Sequence, residues 1–136
     1  MDRPRMRVTS AVLGSKDPRA LASFYERLLG WTRVVDEPAR PGMPPEDAWV
    51  MLRSGSGSGL RGLSFQYEPD FVAPVWPAEP GQQAMMIHLD IEVDDLVAAT
   101  DWAVEAGARL AVYQPQDGVR VLLDPAGHPF CLFRAG

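Results

Sequence analysis

Alternating apolar and polar positions mark the segment from Met86 to Val93 as a strand with one buried face. Its branched apolar side chains, at positions 89, 91 and 93, all point to the same side of the strand. The opposite side carries three groups that can bind a metal or transfer a proton, namely His88, Asp90 and Glu92. This segment therefore predicts a sheet whose second face carries chemistry.

Two amphipathic helices are predicted, each directly after a strand. Asp17 and Pro18 form a typical helix start, apolar residues then recur at three- and four-residue spacing up to position 29, and Gly30 ends the helix. The second helix is predicted from Leu96 to Ala106, after a cap at Asp94 or Asp95. The side chains expected to face inward from it are Ala99, Trp102, Ala103 and Ala106.

The two halves of the chain repeat the same order of elements. Further strands are predicted at 7–14, 31–35, 49–52 and 60–67 in the first half, and at 110–114, 119–123 and 129–134 in the second. Setting Ser10 over His88 also sets Asp17 over Asp95, at one constant offset of 78 residues. The sequence therefore predicts a single domain of residues 1–136, built from β-α-β-β-β modules at about 6–67 and 84–136.

The proline-rich linker between the modules, residues 68–83, is expected to be ordered. Phe71 and Trp76 lie between its prolines, and isolated aromatic side chains usually pack against a domain or a partner. Trp76 is interpreted as a dimer contact or as the lid of a pocket.

Composition narrows the function classes. The chain has 136 residues, 46% of them hydrophobic, and a formal net charge of −5, which favours a globular protein and argues against nucleic-acid binding. No apolar run approaches the roughly 18 residues needed to span a bilayer. Cys131 is the only cysteine, which agrees with a reducing compartment. We therefore expect a cytoplasmic protein with no nucleic-acid or membrane partner.

Several residues admit both a chemical and a structural interpretation. His88 is a candidate metal ligand or general base, or a hydrogen-bonded histidine that lines a ligand-filled hollow. Asp90 and Glu92 are interpreted as contacts to a cationic or hydroxylated ligand, or as solvent-facing groups. Asp124 and His128 are expected to have local roles in the turn before the last strand. Aromatic and apolar residues that line a pocket or fill the core are Trp49, Met51, Phe65, Tyr67, Tyr113 and Phe133.

Three sequence features together resemble one known superfamily. They are the helix end from Ser23 to Gly30, the position of His88 at the start of the second module, and the closing Asp-Pro-Ala-Gly-His-Pro-Phe-Cys-Leu-Phe segment. This combination resembles the vicinal oxygen chelate superfamily, which contains glyoxalase I, extradiol dioxygenases, and fosfomycin and bleomycin resistance proteins. The resemblance implies an α+β fold in which two paired β-α-β-β-β modules form a half-open, cup-shaped sheet.

The resemblance also implies where a divalent metal would be held. The superfamily's ligand positions fall on Ser10, His88 and Cys131, with a fourth near Phe65 or Gln66. Among these, His88 is the convincing ligand, and a serine and a thiol add little to a site for Mg, Mn, Fe or Ni. We therefore expect no resident cofactor, while Asp90 and Glu92 leave a divalent metal at His88 open.

The expected function is that of a glyoxalase or bleomycin resistance-like protein, which binds a small organic molecule in the cup without a full metal site. The alternative is a metal-dependent lyase or dioxygenase that uses His88 as a ligand, and a metal-free enzyme with His88 as base is a third possibility. The resemblance implies a homodimer. The residues expected to contact the ligand are Ser10, Trp49, Phe65, His88, Asp90, Glu92 and Cys131.

Overall fold

The computed structural model describes residues 1–135, which form two compact units, Met1–Glu68 and Pro69 onward. Unit 1 contains β1 (Ser10–Ser15), α1 (Pro18–Leu29), β2 (Thr32–Glu37), β3 (Trp49–Arg53) and β4 (Gly62–Tyr67). Unit 2 contains β5 (Leu89–Val93), α2 (Leu96–Ala106), β6 (Arg109–Leu110), β7 (Val119–Leu123) and β8 (Pro129–Arg134).

Each unit has one four-stranded sheet with the same connectivity. The strand orders are β1-β4-β3-β2 and β5-β8-β7-β6, and in each sheet the first and last strands of the unit lie parallel and adjacent. The predicted α+β class and the two β-α-β-β-β modules are confirmed. We refer below to the face of each sheet opposite its helix as the helix-free face.

The helix boundaries agree with the sequence prediction. The Asp17 side chain accepts a hydrogen bond from the backbone N–H of Ala20, and Gly30 ends α1 in the left-handed conformation at φ 68°. At the second helix, Asp95 rather than Asp94 is the N-cap. Within residues 1–135, neither helix has the length and apolar character required to traverse a lipid bilayer.

The core of unit 1 lies between α1 and its sheet. Phe24 and Tyr25 of the helix are buried and meet edge to face, with ring centroids 4.8 Å apart. The apolar side chains of the central strands pack under them, among them Val50, Leu63 and Phe65. This packing orients the sheet, so that the alternate residues of each strand lie on the helix-free face.

Helix α2 packs through small side chains, and one predicted inward residue is wrong. Ala103 and Ala106 are its buried residues, whereas Trp102 is 56% exposed. Trp102 lies about 100° around the helix from Ala103 because an α-helix has about 3.6 residues per turn. The offset of 78 residues between the two modules also sets Phe24 over Trp102, but the Phe24 ring is buried and the Trp102 ring is exposed.

Four strands are shorter than predicted. β1 begins at Ser10, β4 at Gly62 and β5 at Leu89, so that His88 directly precedes β5. β6 ends at Leu110, and the Gln114 side chain takes over the pairing with β7 beyond it. Its Oε1 accepts from the Val121 N–H at 2.9 Å, and its Nε2 donates to the Val121 carbonyl at 2.8 Å.

The proline-rich linker has defined contacts within unit 2. The Trp76 ring stacks on Tyr113 with centroids 5.7 Å apart, and the Phe71 ring lies 4.9 Å from that of His128. Asp124 holds the neighbouring turn, as predicted, because its Oδ1 accepts from the backbone N–H groups of Ala126 and His128. These contacts explain why aromatic residues occur between the prolines.

Candidate functional site

Three predicted site residues meet on the helix-free face of unit 2. The parallel register sets Asp90 opposite Cys131, and His88 Nε2 lies 3.0 Å from Asp90 Oδ1. The potential ligand atoms of His88, Asp90 and Cys131 all lie within 4.8 Å of one another. Glu92 is exposed, sits opposite Phe133 in the register, and is outside this group. The cluster can bind a polar ligand atom or orient a proton.

The surroundings of Cys131 favour the neutral thiol over the thiolate. Partial burial raises the pKa of Cys131, and the nearby Asp90 carboxylate raises it further. Both effects disfavour the thiolate, which is the nucleophilic and metal-binding form of cysteine. Near neutral pH, Cys131 is therefore a neutral thiol beside the His88–Asp90 pair.

The corresponding positions in unit 1 carry hydroxyl groups. Val12 lies opposite Ser64 there, as Asp90 lies opposite Cys131 in unit 2. The Ser10 and Ser64 Oγ atoms are 3.4 Å apart. Ser64, which the sequence reasoning missed, thus occupies the unit 1 position that matches Cys131.

The predicted placement of Phe65 at that position is wrong. Its side chain is 0% exposed and packs on the helix side of the sheet, with its ring centroid 5.7 Å from that of Tyr25. Gln66 shares the helix-free face but lies two positions beyond Ser64 along β4. The alternation in β4 could have identified Phe65 as a core residue, because Leu63 and Phe65 are apolar while the intervening positions are small or polar.

Trp49 lines an acidic cleft of about 280 Å³ on the helix-free face of unit 1. The register places Glu37 and Gln66 beside it on the two neighbouring strands. Gln66 Nε2 donates to Glu68 Oε1 at 2.8 Å. The Glu68 side chain crosses Gly14, where an added Cβ would lie 2.8 Å from Glu68 Cγ. Glycine at position 14 therefore gives the carboxylate its place at the cleft.

A salt bridge holds the loop between β2 and β3, which borders this cleft. Asp47 is 4% exposed, and its carboxylate accepts two hydrogen bonds from the Arg40 guanidinium and one from the Arg40 backbone N–H, at 2.8–3.0 Å. These side-chain and backbone hydrogen bonds lower the pKa of Asp47 from 3.8 to about 2. Asp47 is therefore ionised under all ordinary conditions and contributes structure rather than proton transfer.

A second cleft, of about 230 Å³, opens further along the same face. Ser10 and Ser64 line it together with Met51 and two arginines, Arg53 and Arg61. The sequence reasoning identified Ser10 and missed the arginines. Arg53 at the end of β3 and Arg61 just before β4 lie far in sequence from Ser10 on β1, and only the strand pairing brings them to it.

The donor set does not fit the four-position metal site that the superfamily resemblance implies. Hard ions such as Mn²⁺ and Mg²⁺ prefer several carboxylate or carbonyl oxygens. The four matching positions instead provide the His88 imidazole, the Cys131 thiol and the hydroxyls of Ser10 and Ser64. Asp90 adds one carboxylate, so unit 2 alone offers three mixed donors, of types that Zn²⁺ accepts.

Comparison with known proteins agrees with this architecture. The sequence matches the family described as glyoxalase-like domain over residues 10–133. Comparison with curated proteins gave no significant match.

Solved structures with the same fold differ widely in what they bind. The antibiotic-binding protein TnmS3 from Streptomyces sp. CB03234 is 17% identical, with coverage of 99% of this chain and 100% of that chain and a TM-score of 0.60. A mutant of the fosfomycin resistance protein FosX from Listeria monocytogenes, complexed with Mn(II) and dihydroxypropylphosphonic acid, is 11% identical, with coverage of 96% and 93% and a TM-score of 0.68.

Glyoxalase I of Leishmania major, described as trypanothione-dependent, is 17% identical, with coverage of 96% and 87% and a TM-score of 0.64. At these identities the likeness shows the fold alone. The family match over nearly the whole chain shows that this chain belongs to the glyoxalase-like domain family.

Proposed function

We propose that this protein binds a small organic molecule on the helix-free face of its unit 1 sheet, without a full superfamily metal site. The observation that carries the proposal is the pair of hydroxyls in unit 1, where Ser10 and Ser64 stand at the positions that match His88 and Cys131. Hydroxyl groups bind organic ligands by hydrogen bonds and are weak ligands for divalent cations.

The surroundings of these hydroxyls support a binding role. Unit 1 has two clefts on its helix-free face, one beside Trp49 and one beside Ser10. Small-molecule sites commonly combine apolar walls with a few placed polar groups. In unit 2 the His88–Asp90 pair, with Glu92 and Cys131 on the same face, would provide polar contacts for a ligand on the helix-free face of that unit. We also propose a homodimer in the cytoplasm, a compartment in keeping with the single cysteine.

Metal counting is the direct test. The tag-free protein is dialysed separately against Zn²⁺, Mn²⁺, Ni²⁺ and Fe²⁺, and bound metal per chain is measured for the wild type, His88→Ala and His128→Gln. His128 is the matched control because it is the other histidine of the chain and takes part in a turn rather than in the cluster. We expect far less than one ion per chain in all three proteins.

Ligand binding without metal completes the test. Thermal shifts are measured with bleomycin, fosfomycin and a panel of aromatic acids and amines, each with and without EDTA. We expect at least one stabilising compound whose effect persists in EDTA, because the site would use side chains alone. A panel with no stabilising compound, or stabilisation abolished by EDTA, would contradict the proposal.

A second candidate is a metal-dependent lyase or dioxygenase, favoured by the close approach of His88, Asp90 and Cys131. An ion held by these residues would polarise a chelating substrate oxygen. His88 and Asp90 would bind it as neutral imidazole and carboxylate, and binding would release the thiol proton of Cys131. About one ion per chain in the wild type and His128→Gln, lost in His88→Ala, would establish this candidate instead.

A further inference from the structure

The cleft beside Ser10 has a positive lining in an acidic protein. We call it the arginine cleft and define it by Arg53 at the end of β3, Arg61 just before β4, and the neighbouring Ser10, Gly62 and Ser64. Arg53 lies directly opposite Gly62 in the sheet register, and Gly62 lies opposite Ser10 on the other side. One row across three strands thus places a guanidinium at one end and a hydroxyl at the other.

The centre of this row has room only for glycine. A Cβ at position 62 would lie 2.0 Å from the backbone carbonyl oxygen of Leu52, so a side chain cannot be accommodated without moving the sheet. Gly62 therefore contributes backbone to the lining of the cleft between Arg53 and Ser10. Ser64 follows on the same face of β4 and is within hydrogen-bond distance of Ser10.

The two guanidinium groups have no protein partner. Within residues 1–135, neither Arg53 nor Arg61 donates a side-chain hydrogen bond or forms an ion pair, and both residues are exposed. No Asp or Glu lines the cleft, although the chain has 18 acidic and 13 basic residues. Two guanidinium groups that line one cleft repel each other, and a bound anion would neutralise both charges.

Three other arginines of unit 1 differ from Arg53 and Arg61 because they are paired with carboxylates. Arg33 and Arg40, in the same unit, each form charge-assisted hydrogen bonds to carboxylates. Arg19 does the same with Asp36. Arg19, Arg33 and Arg40 are therefore paired with carboxylates, whereas Arg53 and Arg61 line a cleft that contains no carboxylate.

We propose that the arginine cleft binds the anionic group of a small organic ligand, a carboxylate or a phosph(on)ate. A guanidinium binds either group through two parallel N–H···O bonds, and the Ser10 hydroxyl can donate a third hydrogen bond. Met51 and Val34 also line the cleft and would contact the carbon part of the ligand. At about 230 Å³ the cleft suits a head group rather than a whole drug-sized molecule.

This inference rests on the proposed function, since it names the chemical class of the ligand that the helix-free face would bind. The test uses phenylphosphonate and benzoate as probes and benzyl alcohol as the neutral comparison. Binding is followed by backbone-amide NMR at low salt, in the wild type and in the variants Arg53→Gln and Arg61→Gln. The matched control is Arg109→Gln, which removes an exposed arginine from β6 of unit 2.

We expect phenylphosphonate and benzoate to shift the amide signals of Gly62 and Ser64, with weaker binding at higher salt. Each cleft variant should weaken phenylphosphonate binding about tenfold, which corresponds to about 1.4 kcal/mol, because it removes a charge-assisted hydrogen bond. Arg109→Gln and benzyl alcohol should show no such effects. Both cleft variants should keep the wild-type thermal unfolding, because neither side chain has a structural partner.

Wild-type affinity in both cleft variants, or amide shifts confined to other parts of the chain, would overturn this inference. That outcome leaves the proposed function standing if a metal-independent ligand is found in the thermal-shift panel. A stoichiometric ion held by His88 would overturn the proposed function while leaving the NMR result with the arginine variants unchanged. The two failures are therefore distinguishable.

Discussion

The substitution Phe65→Ala tests whether this residue belongs to the core or to a ligand site. Its side chain is 0% exposed, and its ring lies 5.7 Å from that of Tyr25. Truncation of a buried phenylalanine costs about 3–5 kcal/mol, to which the lost aromatic pair contributes about 0.5–1.5 kcal/mol. Because whole domains are stable by about 5–15 kcal/mol, Phe65→Ala should bring unit 1 close to unfolding. Phe65→Leu, which retains an apolar side chain, should cost less than half as much.

The assay is urea unfolding followed by backbone-amide NMR, which reports on each unit separately. Separate readout matters because the chain contains two compact units, for which a single two-state transition is not assumed. The control is Val34→Ala in the same sheet, because this side chain is 42% exposed and its truncation should change the free energy of unfolding by less than about 0.5 kcal/mol.

Two results would refute the reasoning. A cost below about 1 kcal/mol for Phe65→Ala would show that the residue is not packed in the interior. Loss of phenylphosphonate binding in a folded Phe65→Leu protein would show that the ring contributes to a ligand site after all.

Three further changes have defined outcomes. The pKa of Asp47, lowered by Arg40 from 3.8 to about 2, gives stability that is fully present above pH 3.8 and is lost as the pH falls through about 2. The stability difference between wild type and Asp47→Asn in acid titrations should therefore shrink over that window, and a constant difference would contradict the assignment. Iodoacetamide should alkylate Cys131 more slowly than an unstructured cysteine at pH 8 and faster in Asp90→Asn, because burial and the Asp90 charge raise the thiol pKa; equal rates in both proteins would exclude the charge effect. Replacing the N-cap Asp95 by alanine should lower the free energy of unfolding of unit 2 by about 1 kcal/mol in urea, and no change would mean that the cap bond to Ala98 is not formed in solution.

Local sequence signals determined the elements and their order. Asp17, Pro18 and Gly30 fix the ends of α1 through hydrogen bonding and backbone conformation that involve only neighbouring residues. Alternation over residues 86–93 likewise predicted His88 and Asp90 on one face, because side chains of a strand alternate whatever the strand pairs with. The repeated module order followed from these signals.

Only the tertiary structure decided which residues share a site. The unit 1 residue at the position that matches Cys131 is Ser64 rather than Phe65. These two residues are one position apart, and a one-residue change of register reverses the face of every side chain in a strand. Arg53 and Arg61 flank one cleft because β3 and β4 pair across a turn whose register the sequence does not specify. The sequence by itself therefore determined the two modules and the strand segment that carries His88, Asp90 and Glu92, since those depend on contacts between near neighbours. Pairing between distant strands determined which functional groups meet.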